Sequence, residues 1–158
     1  MFFGRKIFDV LHRPLNQMIH TCADCIFFCR MNAPEWLNDI VRAFGRQMGL
    51  QTFALNERGT AGVTFENGVR LRFEYVEGAL MVLAGVPCGA DVGAVRRLLQ
   101  GAHYGANRGA TVRAARLAKS DEGIWSVRIP ERAVTVTEVE RVFRIVWEAA
   151  VAFGRSVA

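Results

Sequence analysis

The stretch FENGVRLRFEYVEGALMVLAGVP, residues 65–87, decides the fold, because it sets two turn signals between runs of alternating apolar residues. A two-residue loop at Asn67-Gly68 would place Phe65 opposite Arg70 and Val63 opposite Arg72, sending the apolar sides of the two strands to opposite faces. A three-residue loop, Glu66-Asn67-Gly68 with Gly68 left-handed in a bulge, instead pairs Phe65 with Val69 and Val63 with Leu71. At Glu77-Gly78 a two-residue loop works as it stands, pairing Tyr75 with Leu80, Phe73 with Val82 and Leu71 with Ala84. One face of this sheet is then apolar throughout. The last strand also carries Met81 and Leu83 on its other face, opposite Glu74 and Arg72, so it asks for cover on both sides, and another molecule can supply the second cover.

Outward from this hairpin series, the pattern predicts four consecutive strands near residues 51–55, 61–65, 69–75 and 79–86. Before them, a helix is expected over residues 33–48, capped by Asn32 with Glu35 three residues on and ended by Gly49. Trp36, Ile40, Val41, Phe44 and Met48 share one of its faces. After the strands a helix over 91–104 opens on Asp91 and carries Val92, Val95, Leu98, Leu99 and Ala102 on one side. Strands near 110–117 and 124–129 follow, joined by a turn at Ser120 to Gly123. A last helix starts at Thr135 or Thr137 and repeats Val139, Val142, Phe143, Val146, Ala150 and Phe153 at helical spacing. Consecutive strands between separated helices give an α+β fold with an antiparallel sheet, in the order α-β-β-β(β)-α-β-β-α.

At 158 residues the chain has the length of a single domain, and 51% hydrophobic with 22% charged residues is a globular composition. The first thirty residues read as an atypical extension: Phe2, Phe3, Phe8, Phe27 and Phe28 sit among basic residues without sustained periodicity, and Pro14 interrupts the one short helical pattern. Residues 31–158 form the domain, and the extension has two readings: an untranslated stretch before a product that begins at Met31, or a disordered segment. No apolar run approaches the 18 or so residues of a membrane span, and the N-terminus lacks a continuous signal-peptide core, which predicts a cytoplasmic protein.

The formal charge of +5 invites a nucleic-acid reading, but the arginines are dispersed, with Arg96-Arg97 the only adjacent pair from Met31 on. Catalysis has few candidates. From Met31 on the only His is His103 and the only Cys is Cys88, while Asp91 reads as a helix cap, Asp121 as a turn former and His103 as a cation at a helix end. The string His20, Cys22, Cys25 and Cys29 lies within too short a stretch to join two ligand pairs across a turn, as structural zinc does. No Gly-rich phosphate loop precedes a helix. The reading therefore calls for no enzyme, no metal and no cofactor.

Three stretches carry a family likeness: WLNDIVRAFGRQMGL, the hairpin series already quoted, and LLQGAHYGANRGATVRAARLAKSDEGIWSVRIP leading to an amphipathic helix. With this order of elements the chain resembles the class I type III secretion chaperones of the Tir chaperone family. That resemblance implies a bacterial, cytoplasmic homodimer that needs no ATP. It also implies binding of the N-terminal segment of a secreted effector in extended form, partly by strand addition, and its presentation to the secretion apparatus. The implied dimer residues are Val92, Val95, Leu98, Leu99, Ala102 and Trp125. The effector contacts are Phe53, Leu55, Val63, Phe65, Met81 and Leu83, of which Phe53, Val63 and Phe65 fit core as well as contact. Two features depart from the family: the extension, and a charge that stays basic after Met31, where sixteen basic residues face thirteen acidic ones. The other reading is a regulatory or nucleic-acid-binding module of the same fold, with Arg70, Arg72, Arg113, Arg116 and Arg128 on one sheet face.

Overall fold

The bulge and the hairpin set the side of the sheet on which everything else packs. In the computed structural model, which describes residues 33–103 and 109–157, Val63 pairs with Leu71, and the Phe65 amide donates to Val69 O at 2.9 Å. Gly68 has φ 80°, the left-handed conformation that a residue without a Cβ adopts freely. At the next turn Glu77 and Gly78 have φ 50° and 66°, the mirror-image turn that suits strand twist, and Tyr75, Phe73 and Leu71 pair with Leu80, Val82 and Ala84.

The elements are α1 (Glu35–Gln47), β1 (Thr60–Thr64), β2 (Arg70–Val76), β3 (Ala79–Pro87), α2 (Val92–Gln100), β4 (Arg113–Leu117), β5 (Glu122–Pro130), a short 3-10 turn (Glu131–Ala133) and α3 (Val136–Val157). The strands form one antiparallel sheet in the order β1-β2-β3-β5-β4, with β3 at its centre. All three helices lie on the face that carries Leu71, Phe73, Val82, Trp125 and Val127. Phe44 of α1 meets Phe73 at a ring separation of 5.2 Å. The Trp125 indole donates to Leu98 O of α2 at 3.2 Å, and its ring stands 5.4 Å from Phe153 of α3. The six residues expected on the inner face of α3 are all buried, and the Thr135 hydroxyl accepts from the Glu138 amide at 3.1 Å, so Thr135 is the cap.

The structure corrects the first of the four consecutive strands expected. Residues 51–55 join no strand, because the polar groups of Leu55 are already taken: its N–H donates to Asn38 Oδ1 at 2.9 Å and its C=O accepts from Asn38 Nδ2 at 3.4 Å. Phe53 and Leu55 are nonetheless buried, so their alternation marks a loop plugged into the core. In α1 the buried face is Leu37, Val41 and Phe44, and Trp36, expected on it, is 44% exposed. Pro34 stands at the cap of α1 with no side-chain cap, and Asn32 lies outside the described residues. Helix α2 ends at Gln100, and Tyr104 also lies outside them.

Asn38→Ala leaves the Leu55 N–H without its acceptor, and should destabilise the fold by about 1–3 kcal/mol in urea titrations. An unchanged midpoint would show that the clamp is dispensable. The Tyr75 hydroxyl donates to Glu131 Oε2 at 2.9 Å, and burial first, then that carboxylate, pushes its pKa above 10.0. A raised folded value gives stability that is full below the unfolded pKa and lost as pH rises through the folded one. Alkaline melting curves above about pH 10 should therefore fall more steeply for the wild type than for Tyr75→Phe.

Candidate functional site

Strand alternation sorts the second face of the sheet, on which none of the described helices packs. Its rows follow from the pairing: Arg70, Gly85, Ile124 and Ala115; Arg72, Leu83, Ser126 and Arg113; Glu74, Met81 and Arg128. Arg116 pairs with Gly123 and so points to the helix side, where it donates to Cys88 O at 3.4 Å and pairs with Asp121. Only four of the five arginines expected together share this face.

A diagonal ion pair crosses it. Arg72 Nη2 donates to Glu122 Oε2 at 3.1 Å, with the side chains 18% and 5% exposed. The pair passes over Gly85, where a Cβ would stand 2.7 Å from Glu122 Cδ, so glycine is what lets the two side chains lie flat. Next to it on the same face Leu83 is only 8% exposed, while Met81 and Ile124 stay half-buried. The surplus apolar surface that the sequence assigned to Met81 and Leu83 is thus largely covered within one chain at Leu83. Gly85→Ala should cost about 1–3 kcal/mol, by the overpacking it forces, in a thermal or urea midpoint; a neutral substitution would mean that the pair can move aside.

Exposed apolar surface is found instead on the helices. Asp91 Oδ1 accepts from the Ala94 amide at 2.8 Å and fixes the start of α2, which turns Ala94 and Leu98 into the core. Val92, Val95 and Leu99, spaced i, i+3 and i+7, make a second stripe on the outside of the same helix. Val92 is 77% and Leu99 55% exposed, and with Arg96, Gln100 and His103 they line a shallow apolar groove. Of the six residues expected at a dimer contact, Val92, Val95 and Leu99 come together there. Leu98 and Trp125, at 1% and 0% exposure, are interior, and Ala102 is half-buried. Of the effector contacts, Phe53, Leu55 and Phe65 are core, with the Phe65 ring 4.7 Å from that of Trp147, and Val63 is half-buried. Trp36 is the exposed aromatic that the helical pattern misplaced.

Asp121, in its turn with φ 47°, and Asp91 hold the local structural roles expected of them. Cys88 is buried, and burial pushes its thiol up from the ordinary range. The string His20 to Cys29 lies outside the described residues. Among the described residues no helix is long and apolar enough to cross a membrane.

Compared by sequence, the chain matches no family model and no curated protein. Its fold has solved counterparts. The structure of the ExsC-ExsE complex superposes with a TM-score of 0.64 at 18% identity, over 79% of this chain and 96% of that one. The HopA1-SchA chaperone-effector complex gives 0.61 at 16%, over 78% and 98%. The Yersinia pestis type III secretion chaperone SycH, in complex with a stable fragment of YscM2, gives 0.58 at 16%, over 74% and 98%. The chain has the fold of a type III secretion chaperone. In that fold, the α+β order and antiparallel sheet read from the hairpin series stand as read.

Proposed function

We propose that this chain is a class I type III secretion chaperone, akin to the Tir chaperone family, that works as a bacterial cytoplasmic homodimer. It holds the N-terminal segment of a secreted effector in extended form, keeps it from aggregating and presents it to the secretion apparatus without ATP. The observation that carries the reading is the match, over 98% of each of those chains and 78% and 74% of this one, to the structures of a chaperone-effector complex and of a type III secretion chaperone. Its supports in the chain are the doubly apolar α2 and the two sheet edges, β1 and β4. An edge strand offers unpaired N–H and C=O groups to an extended segment, while side-chain pockets choose the sequence. No catalytic role is assigned to any residue, and residues 1–30 are read as separate from the 31–158 domain.

In the dimer, Val92, Val95 and Leu99 of two copies face each other across α2. Each apolar side chain buried there contributes about 1.5–3 kcal/mol before ordering costs. Light scattering should give twice the mass of one chain, and Val92→Asp with Leu99→Asp should give one chain mass with unchanged circular dichroism. A wild-type monomer removes the dimer. Co-expression with N-terminal fragments of secreted effectors encoded beside it should yield a co-purifying complex without nucleotide, and retention of none of them would refute the chaperone reading.

A further inference from the structure

We infer that the sheet face on which none of the described helices packs selects an acidic client segment, one that sets carboxylates on either side of an apolar centre. This rests on the reading of the chain as a binder of extended segments and names the chemistry of what it binds. Four arginines stand on this face, and the ion pair with Glu122 neutralises one of them, Arg72. Arg70, Arg113 and Arg128 are exposed. Arg70 and Arg113 make no ion pair among the described residues, and Arg128 donates to a neutral acceptor, the Glu77 carbonyl, at 3.1 Å. Three cations are therefore left for a partner, against two carboxylates, Glu74 and Glu122, among the described strand residues of this face.

Their positions follow from the pairing. With strands about 4.8 Å apart and residues about 3.4 Å apart, Arg113 and Arg128 sit roughly 8 Å from each other, and Arg70 roughly 16 Å from both. Met81, Leu83 and Ile124 lie between, beside the low platform of Gly85 and Ser126. An extended segment covers roughly 16 Å in about five residues. Its carboxylates should then fall about four or six positions apart, an even spacing that keeps both on the side facing the sheet, with apolar residues between them facing Met81 and Ile124. Phosphate chains fit this face poorly. Among the described residues it has no aromatic side chain on which a base can stack, its centre is apolar, and two carboxylates stand on it.

The test is selection of displayed random peptides of about twelve residues, long enough to cross the five strands, against the full chain. Expected are peptides with acidic residues about four or six apart around apolar ones. A selected peptide should bind roughly tenfold more weakly to the triple variant Arg70→Glu, Arg113→Glu, Arg128→Glu, and with little change to the matching Arg→Lys triple variant, which also reports on folding. Selected peptides without acidic bias that bind the charge-reversed variant equally well would overturn the acidic preference and leave segment binding intact. No selected peptide at all would remove both. Tight binding of a thymidine oligonucleotide, lost in the charge-reversed variant, would assign the arginines to phosphate and sink the inference.

Discussion

The parity of the sheet is the constraint on which the rest of the molecule depends. Side chains alternate faces with a period of two, so one residue more or less in the loop before β2 would turn every apolar residue of β1 away from the core. Gly68 absorbs that residue in a left-handed bulge, and the Glu77-Gly78 turn carries the same parity into β3. From there β5 inherits it through pairing with β3, and Trp125 arrives on the face where Leu98 and Phe153 wait. The three described helices can then share one side, and none of them packs on the other.

That one-sidedness has a cost at β3, which is apolar on both faces at the centre of the sheet. The molecule meets it partly from within. Arg72 and Glu122 lie diagonally across Gly85 beside Leu83, their alkyl stems covering apolar surface while their charges meet each other. The pairing is single, since Arg72 Nε and Glu122 Oε1 find no partner. Such a pair contributes little net stability over an apolar replacement, but breaking it would strand a buried charge. The surface that remains is apolar at Met81 and Ile124, with Arg70, Arg113 and Arg128 around it and outside any ion pair among the described residues, and apolar along the outer stripe of α2. These are two different chemistries on two different elements.

Local patterning made most of this visible before any coordinates. Turn residues and alternation gave β1, β2 and β3 with their registers, and helical spacing gave the six buried residues of α3. What they could not give was depth. Phe53 and Leu55 alternate as a strand does, yet Asn38, seventeen residues upstream of Leu55, takes both its backbone groups, and no local signal announces a clamp of that separation. Trp36 and Leu37 are adjacent and both apolar, and which one faces inward depends on the roll of α1 against Phe73 and Phe143. Arg116 looked like its neighbours until the pairing of β4 with β5 placed it on the other side.

By itself, then, the sequence determined the order of elements apart from the strand expected at 51–55, the parity of the hairpins, the cap at Asp91, and an α2 with more apolar residues than one face needs, because each of these depends on residues within a turn or two of one another. Only the tertiary structure decided which of those apolar residues stay outside. Leu98 and Trp125 go in and Val92 and Leu99 stay out, because burial is settled by contacts between elements far apart in the chain, and periodicity records a face without recording what covers it.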